Sequence, residues 1–410
     1  MRAIKPIFLL TAWYPFRETG ENFLSDELRC LGSDAAHVSV LAVNPAKRLA
    51  QLQPVPDAVR AETLFAAPFS RINKLRCVLQ LTAHGEFWEE LSYLWRTGRL
   101  NLKNVRALIA FCARGVRIAR ALDARVRACE EKPVLCSYWM LDTAYAAALL
   151  ARRFGLAAVT RAHGGDLYEE RSGGYLPMRR FILRQMRLAA PVSKMGCDYL
   201  KRRYPGLGNV QHRYLGAADP GTVREPEGRR PFRILSCAFL KPLKRIPLIA
   251  EALALIGDAE IEWTHFGDGE DMQALRAAAE SLPQNVRVTL MGSRPPEEIA
   301  QYCRETDVHL YVNVSTTEGI PVSIMEAMRF GIPALATDVG GTRELVRDGE
   351  SGVLLPADLT ARTLADAIES FLRMPEERYL QYRHDARAVW ERDFRAETNY
   401  PNFYCELQTL

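Results

Sequence analysis

The sequence predicts an α/β protein made of two doubly wound, Rossmann-like domains that face each other across a cleft. Short apolar runs of strand length alternate with helical segments, the pattern restarts after one irregular stretch, and polar motifs follow several of the apolar runs. Strands buried on both faces give continuous apolar runs, and such strands form parallel sheets with helices on both sides. The 410 residues are enough for two or three domains of ordinary size.

The first half contains six runs that we predict to be strands. A helix-like segment, TAYAAALLARRF, separates the third run from the fourth. The predicted N-terminal domain therefore covers residues 1–216, with strands at 5–13, 37–43, 134–139, 156–163, 191–194 and 210–216.

Residues 217–231 are rich in Gly, Pro and charge without hydrophobic periodicity, which is typical of an interdomain linker. A second domain, residues 232–380, follows with a helix at 246–257. Its predicted strands are at 232–240, 261–267, 286–292, 308–315, 332–339 and 352–356. We expect residues 381–410 to form C-terminal helices that pack back toward the N-terminal domain.

The composition is that of a soluble globular protein, with 48% hydrophobic and 25% charged residues. No run approaches the ~20 apolar residues of a membrane helix. The apolar N-terminus lacks a small-residue cleavage site, so it predicts a buried strand rather than a signal peptide. Nine cysteines without a Cys-x-x-Cys pair argue against a disulfide framework or a zinc site. We therefore expect a cytoplasmic protein.

The net charge of +5 is too small to imply nucleic acid as a partner. The charge is unevenly distributed, since residues 96–127 contain nine Lys or Arg and one acid, interleaved with apolar side chains. One interpretation is a set of helices with solvated basic faces. The other is a surface that docks on anionic lipid or on a phosphate-bearing acceptor at the inner face of a membrane.

Two glutamates eight positions apart stand out in TTEGIPVSIMEAMRFG, residues 316–331. Glu318 lies in a loop after a predicted strand, and Pro321 is suited to the first position of a helix because it needs no N–H there. Glu326 then lies inside that helix, roughly 7.5 Å further along at about 1.5 Å per residue. The segment therefore offers two carboxylates with a helix start between them.

The amides near that helix start can bind an anion. The order of groups is a carboxylate, a set of N–H donors and a second carboxylate. That order suits a nucleotide sugar, which presents sugar hydroxyls, a diphosphate and ribose hydroxyls, because carboxylates accept hydrogen bonds from hydroxyls.

The wider segment STTEGIPVSIMEAMRFGIPALATDVGGTRELV resembles the Glu-x7-Glu signature of the family-4 retaining glycosyltransferases, which have the GT-B fold. The resemblance implies that Glu318 holds the donor sugar and that Glu326 holds the ribose. It also implies donor contacts from the residues after Glu318, namely Gly319, Ile320, Pro321 and Val322. Gly341 and Glu344 match the end of the signature, where a loop-shaping role and a binding role both stay open.

The stretch RAHGGDLY, residues 161–168, resembles the His-Gly-x-Asp loop of the N-terminal domain in this family. The resemblance places His163 near the reaction centre. Asp166 is either a further site residue or a cap of the following helix.

The stretch LSCAFLKPLKRIPLIAEAL, residues 235–253, resembles the first strand, loop and helix of the family's C-terminal domain. Lys244 matches the lysine that neutralises the leaving diphosphate. Phe239 stands where relatives have an arginine, so Lys241 or Arg245 would have to supply a second positive charge.

Two glycines complete the predicted site by resemblance. Gly20 matches the glycine at which the backbone of the first N-terminal loop approaches the donor phosphate and the acceptor. Gly267 lies in a Gly-x-Gly loop near the expected nucleotide base. No Asp-x-Asp motif is present, and the resemblance implies an enzyme that needs neither a metal nor another cofactor.

The resemblance therefore implies a retaining, metal-independent glycosyltransferase that moves a sugar from a nucleotide diphosphate sugar to a glycan or lipid-linked glycan. The pattern is most similar to members that build surface polysaccharides. A phosphorylase or an epimerase of the same fold remains an alternative, as does a catalytically degenerate partner subunit, which Phe239 would favour. The sugar, the base and the acceptor stay open.

Overall fold

The computed structural model describes residues 4–16, 21, 23–44, 53–67 and 71–410. Within these, the chain divides into two compact units. Unit 1 contains Met1–Tyr214 and Thr398–Leu410, and unit 2 contains Leu215–Glu397. Each unit has its own hydrophobic core.

Unit 1 is built on a six-stranded parallel sheet with the spatial order β3-β2-β1-β4-β5-β6. The strand order reverses between β1 and β4, and doubly wound sheets bind ligands beside the carboxyl ends of their strands at such a point. The strands are β1 (Ile7–Thr11), β2 (Val38–Ala42), β3 (Arg60–Thr63), β4 (Val134–Ser137), β5 (Ala158–Ala162) and β6 (Leu188–Pro191).

The helices of unit 1 cover this sheet. Gly115 permits close packing of α4 on α5, because a Cβ there would lie 2.4 Å from the ring of Tyr145. The helices are α1 (Phe23–Arg29), α2 (Arg71–Leu81), α3 (Gly85–Arg96), α4 (Leu102–Ala128), α5 (Asp142–Phe154), α6 (Gly164–Leu167), α7 (Arg179–Gln185) and α8 (Lys194–Arg203).

Unit 2 repeats the architecture, with the parallel order β12-β11-β10-β7-β8-β9 and the reversal between β7 and β10. Its strands are β7 (Phe232–Cys237), β8 (Ile261–Phe266), β9 (Val286–Gly292), β10 (Leu310–Asn313), β11 (Ala334–Thr337) and β12 (Gly352–Leu355). Its helices are α9 (Pro247–Leu253), α10 (Met272–Glu280), α11 (Pro296–Glu305), α12 (Val322–Met328), α13 (Thr342–Leu345), α14 (Ala361–Leu372) and α15 (Glu376–Asp393). A last helix, α16 (Ala396–Thr409), begins in unit 2 and continues into unit 1.

The prediction of two doubly wound α/β domains is confirmed in each unit. Two local predictions were wrong, and one strand was missed. The strand predicted at 191–194 ends at Pro191, because the next residues begin α8, where the Ser193 side chain accepts a hydrogen bond from the amide of Gly196. The strand predicted at 210–216 is a single bridge to Ala189 beside the edge strand β6, after which the chain leaves the sheet. Strand β3 was not predicted, since none of its four residues is fully buried and it carries little apolar signal.

Pro321 was predicted to be the first residue of its helix, but it lies one position before the helix. Helix α12 begins at Val322, and Pro321 occupies the cap position with an extended backbone. None of the helices in the described part of the chain is long and apolar enough to cross a membrane.

Candidate functional site

The order reversal of unit 2 is spanned by an ion pair between two predicted site residues. Lys244 follows β7 and Glu318 follows β10, its neighbour in the sheet. The Nζ atom of Lys244 donates a hydrogen bond to Oε1 of Glu318 at 2.6 Å. The Glu318 side chain is only 10% exposed and that of Lys244 is 23% exposed. The two charges therefore neutralise each other at the place where a ligand of this sheet would bind.

The loops after β7 and β10 are tied together by further hydrogen bonds. The amide of Thr316 donates to the carbonyl of Leu243 at 2.8 Å, and Nε of Arg245 donates to the carbonyl of Val314 at 2.7 Å. The Nη2 atom of Arg245 is buried without a hydrogen-bond partner among the described residues, and the side chain of Lys241 is exposed, so both remain candidates for a second positive charge.

Two glycines after β11 shape the loop that carries Glu318. Gly340 has φ +55°, and a Cβ there would lie 2.0 Å from the carbonyl oxygen of Glu318. The amide of Gly341 donates to the carbonyl of Gly319 at 2.8 Å. Glu344 lies on the short helix α13 that follows. This geometry supports a loop-shaping role for Gly340 and Gly341, and for Gly341 it leaves a binding role open.

Gly267 brings a third loop onto the residues after β7. It has φ +142°, and a Cβ would lie 1.9 Å from the carbonyl oxygen of Ala238, so only glycine fits. Phe239, which follows Ala238 in the chain, is 56% exposed and contributes little to the core. The substitution of Phe239 for arginine therefore changes the surface of this loop and leaves its backbone in place.

Glu326 is the fifth residue of α12 and is partly exposed. It shares a small pocket with Cys237, Cys303 and Tyr311. Burial and, second, the negative charge of Glu326 raise the pKa of Cys237 to about 12. Since Cys237 is the last residue of β7, Glu326 lies near the same strand end from which the Lys244 loop starts.

His163 follows β5 in unit 1 and packs against three aromatic rings. The centroid of its ring lies 4.5 Å from Trp139, 4.9 Å from Tyr138 and 6.0 Å from Phe23. Burial and, second, the charge of Arg161 lower the pKa of His163 to about 3, so the ring is neutral. Both ring nitrogens are buried, and neither has a hydrogen-bond partner among the described residues.

Asp166 has a structural role in this region. Its carboxylate accepts hydrogen bonds from the amide of His163 at 2.5 Å and from the amide of Met140 at 2.6 Å. The buried guanidinium of Arg179 donates to the carbonyls of Met140 and Asp166. Burial raises the pKa of Asp166 to about 6. Asp166 therefore joins the loops after β4 and β5, as a cap would.

Glu21 was missed by the sequence analysis. Its carboxylate accepts hydrogen bonds from three consecutive amides after β1, those of Ala12, Trp13 and Tyr14, at 2.8–2.9 Å. It also accepts one from Nε1 of Trp139 at 2.6 Å, which fixes the indole that packs on His163. A glutamate in a polar loop gives no sequence signal for such a role.

The structure thus groups the predicted residues by unit. Lys244, Glu318, Gly319 and Gly341 meet in unit 2, and His163 meets Asp166 in unit 1. Gly20 lies outside the described residues. Among the residues that the structure describes, no group of three or more His, Cys, Asp or Glu side chains could hold a metal ion.

Part of the chain is similar to a family of known proteins. Residues 223–388 match the family described as "Glycosyl transferases group 1". The protein named "Putative colanic acid biosynthesis glycosyltransferase WcaL" in Escherichia coli K12 is 28% identical, and the match covers 65% of this chain and 72% of that protein. The amylovoran biosynthesis glycosyltransferase of Erwinia amylovora is 28% identical over 59% of this chain and 63% of its own length, so the match spans less than two thirds of that relative.

Solved structures resemble the whole chain at low sequence identity. The Anabaena HepE protein, in complex with UDP and glucose, has a TM-score of 0.68 at 17% identity and matches 100% of both chains. The sucrose-phosphate synthase of Thermosynechococcus elongatus has a TM-score of 0.72 at 17% identity and matches 99% of both chains. The chain has the GT-B fold.

Proposed function

We propose that this protein is a retaining, metal-independent glycosyltransferase of the Glu-x7-Glu type. It moves a sugar from a nucleotide diphosphate sugar to a hydroxyl of a glycan or lipid-linked glycan during surface polysaccharide biosynthesis. The observation that carries the proposal is the Lys244–Glu318 pair at the strand-order reversal of unit 2, within the segment that matches the glycosyltransferase family.

Lys244 and Glu318 are each other's partners without a ligand, and a bound nucleotide sugar could replace each of them as the partner of the other. A diphosphate offers the Lys244 ammonium a doubly charged partner, and the sugar hydroxyls offer Glu318 hydrogen-bond donors in return. Lys244 then stabilises the charge that grows on the leaving diphosphate. Glu326, five residues into the next helix, holds the ribose hydroxyls.

His163 suits a neutral role near the anomeric carbon. Because its pKa is about 3, it carries no charge at physiological pH. Its two buried ring nitrogens have no hydrogen-bond partner among the described residues, so a sugar hydroxyl that reached the ring would satisfy them. In the family that the chain resembles, retention is attributed to front-side attack in which the leaving phosphate takes the acceptor proton, and a neutral histidine is consistent with that mechanism.

The relatives support the polysaccharide context. Two of them are named for colanic acid and amylovoran biosynthesis. Since HepE was solved with UDP, uridine diphosphate sugars are the first donors to test.

A thermal-shift screen tests the donor site. The purified protein is heated with UDP-, GDP-, ADP- and dTDP-sugars, each beside its bare nucleotide, because a ligand of the folded state raises the melting temperature. We expect one base family to raise it, and Glu326→Ala to reduce that shift. If well-folded protein responds to none of them, the degenerate partner subunit becomes the better hypothesis, and the exposed Phe239 its main support.

Metal independence has its own test. We expect turnover to be unchanged after dialysis against EDTA, because Lys244 supplies the positive charge that a metal would otherwise bring. Loss of turnover in EDTA, with recovery on adding a divalent cation, would contradict this part of the proposal.

A further inference from the structure

Unit 1 exposes a group of large apolar side chains where α3 connects to α4. Trp95 is 71% exposed, Leu100 is 45% exposed and Leu102 is 65% exposed. These three residues lie within eight positions of each other, and we call them the apolar tip. A cluster of exposed apolar side chains on a soluble unit marks a place of contact with another surface.

The connection that carries the apolar tip is rigidly held. Helix α3 ends at Arg96, and Gly98, two residues later, has φ +68° and donates its amide to the carbonyl of Trp95 at 3.1 Å. Helix α4 begins with the Asn101 side chain, which accepts a hydrogen bond from the amide of Asn104 at 2.9 Å. Between them, Arg99 is anchored to the buried Glu169 at 2.9 Å. The tip is therefore a fixed feature of the fold.

The chain segment that carries the apolar tip is rich in positive charge. From residue 91 to residue 122 the sequence has seven Lys or Arg and no acid. Arg99 is neutralised by Glu169, whereas Arg96, Lys103 and Arg106 are exposed next to the tip. Apolar side chains surrounded by cations fit a surface that is apolar inside and anionic outside.

We propose that the apolar tip inserts into the headgroup region of an anionic lipid bilayer while Arg96, Lys103 and Arg106 contact the lipid phosphates. The indole of Trp95 suits that boundary, since its ring is apolar and its N–H is polar. The inference rests on the proposed function only in that a lipid-linked acceptor would be presented at such a surface. The sequence analysis expected membrane contact through the faces of the basic helices, whereas this inference places the contact at the connection between α3 and α4.

A protein partner fits the same features less well. A protein surface complementary to the tip would need an apolar centre and an acidic rim. The tip offers only three apolar side chains, fewer than a standard protein interface uses. A bilayer meets both requirements without a specific shape.

Vesicle flotation tests the inference with the full-length protein. The wild type is mixed with vesicles of phosphatidylcholine alone or of phosphatidylcholine with phosphatidylglycerol, at low and at high salt. We expect binding to the anionic vesicles, with weaker binding at high salt because the charge contribution is screened. Neither donor nor acceptor is present, so the result does not depend on the proposed enzymatic activity.

Two variants separate the apolar contribution from the charge contribution. Trp95→Ser/Leu102→Ser should lower the partition coefficient on the order of tenfold, because it removes the apolar area that enters the bilayer. Arg96→Gln/Lys103→Gln/Arg106→Gln should lower it about tenfold or more at low salt and little at high salt. Leu255→Ser is the matched control, since Leu255 is an apolar side chain in unit 2 that is 46% exposed.

Either of two results would overturn the inference. The wild type could fail to bind anionic vesicles at low salt, or Trp95→Ser/Leu102→Ser could bind as tightly as the wild type. If vesicle binding is absent and the wild type self-associates in a way that the same variant abolishes, the apolar tip is assigned to a second copy of the chain. Unchanged melting temperatures of the variants would exclude misfolding as a cause.

Discussion

The two units have the same strand order but use a carboxylate differently at the point where that order reverses. In unit 1, Glu21 follows β1 and is bonded to Trp139, which follows β4. In unit 2, Glu318 follows β10 and is paired with Lys244, which follows β7. Each carboxylate therefore links the two loops that flank the reversal of its own sheet.

The partners of the two carboxylates differ in kind. Glu21 accepts hydrogen bonds from three backbone amides and one indole N–H. The amides are part of the main chain after β1, so their positions are set by the fold. Glu318 accepts from the Lys244 ammonium and, at 3.4 Å, from the Asn313 side chain. A backbone amide cannot be exchanged without unfolding the loop, whereas a lysine side chain can turn to another anion. The link in unit 1 is therefore structural, and the link in unit 2 is suited to ligand exchange.

The two units also differ in which residue adopts a left-handed backbone conformation near the carboxylate. Glu21 itself has φ +57°, whereas in unit 2 Gly340, packed against the carbonyl of Glu318, has φ +55°. Glycine adopts this conformation without steric cost, and a glutamate does not. The four hydrogen bonds of Glu21 offset that cost.

Removal of the unit 1 carboxylate should have the largest effect on stability. Glu21→Ala leaves three amides and an indole N–H without their acceptor, and we expect it to lower the free energy of unfolding by about 3 kcal/mol. Urea denaturation measures this, and near-ultraviolet circular dichroism would show release of the Trp139 indole. Glu318→Ala is the counterpart in unit 2, with an expected loss of about 1 kcal/mol. Equal losses in the two variants would contradict the distinction.

Removal of the lysine in unit 2 should affect turnover more than stability. Lys244→Ala removes the charge that stabilises the leaving diphosphate, so we expect kcat to fall on the order of a hundredfold. The free energy of unfolding should change by only about 1 kcal/mol, because the side chain is partly exposed. Lys201→Ala, an exposed lysine in α8, is the control. A kcat close to that of the wild type would remove Lys244 from the site.

Gly340→Ala tests the close approach behind Glu318. The new Cβ would meet the carbonyl oxygen of Glu318, so we expect a loss of about 2 kcal/mol in the free energy of unfolding beyond that of Gly349→Ala. Gly349 is a matched control, since it has φ +77° and nothing within 4 Å of an added Cβ. Similar losses in both variants would mean that backbone conformation alone matters at Gly340.

The smallest expected effect is a pH dependence from His163. Its pKa is about 3 in the folded protein, against an ordinary 6.5, so the unfolded chain takes up a proton below about pH 6.5 while the folded one does not. The stability contributed by neutral His163 is present above pH 6.5 and is lost as the pH falls toward 3. Between about pH 7 and pH 5.5 we expect the wild type to lose about 1 kcal/mol more than His163→Gln.

Asp166 has the opposite pH dependence and must be compared in the same experiment. Its pKa is raised to about 6, so its contribution is full below its ordinary 3.8 and is lost as the pH rises through 6. Because both proteins keep Asp166, the difference between wild type and His163→Gln reports His163. Parallel pH profiles of the two would contradict a neutral, buried His163.

The site could be predicted from sequence where a motif is local and not where it is assembled from distant loops. Glu318, Gly319 and Glu326 lie in one segment, and so do His163 and Asp166. The Lys244–Glu318 bond joins residues 74 positions apart, and the Glu21–Trp139 bond joins residues 118 positions apart. Both bonds depend on which loops the sheet brings together.

The sequence by itself determined the two α/β halves, because strands buried on both faces must be apolar runs and their helices must alternate with them. It also determined that the candidate residues lie in loops after strands. Only the tertiary structure decided that β6 ends at Pro191, that residues 210–216 form no strand, and that Glu21 supports Trp139. A strand needs a neighbour to bond with and a buried carboxylate needs its donors, and in this chain those partners come from distant positions.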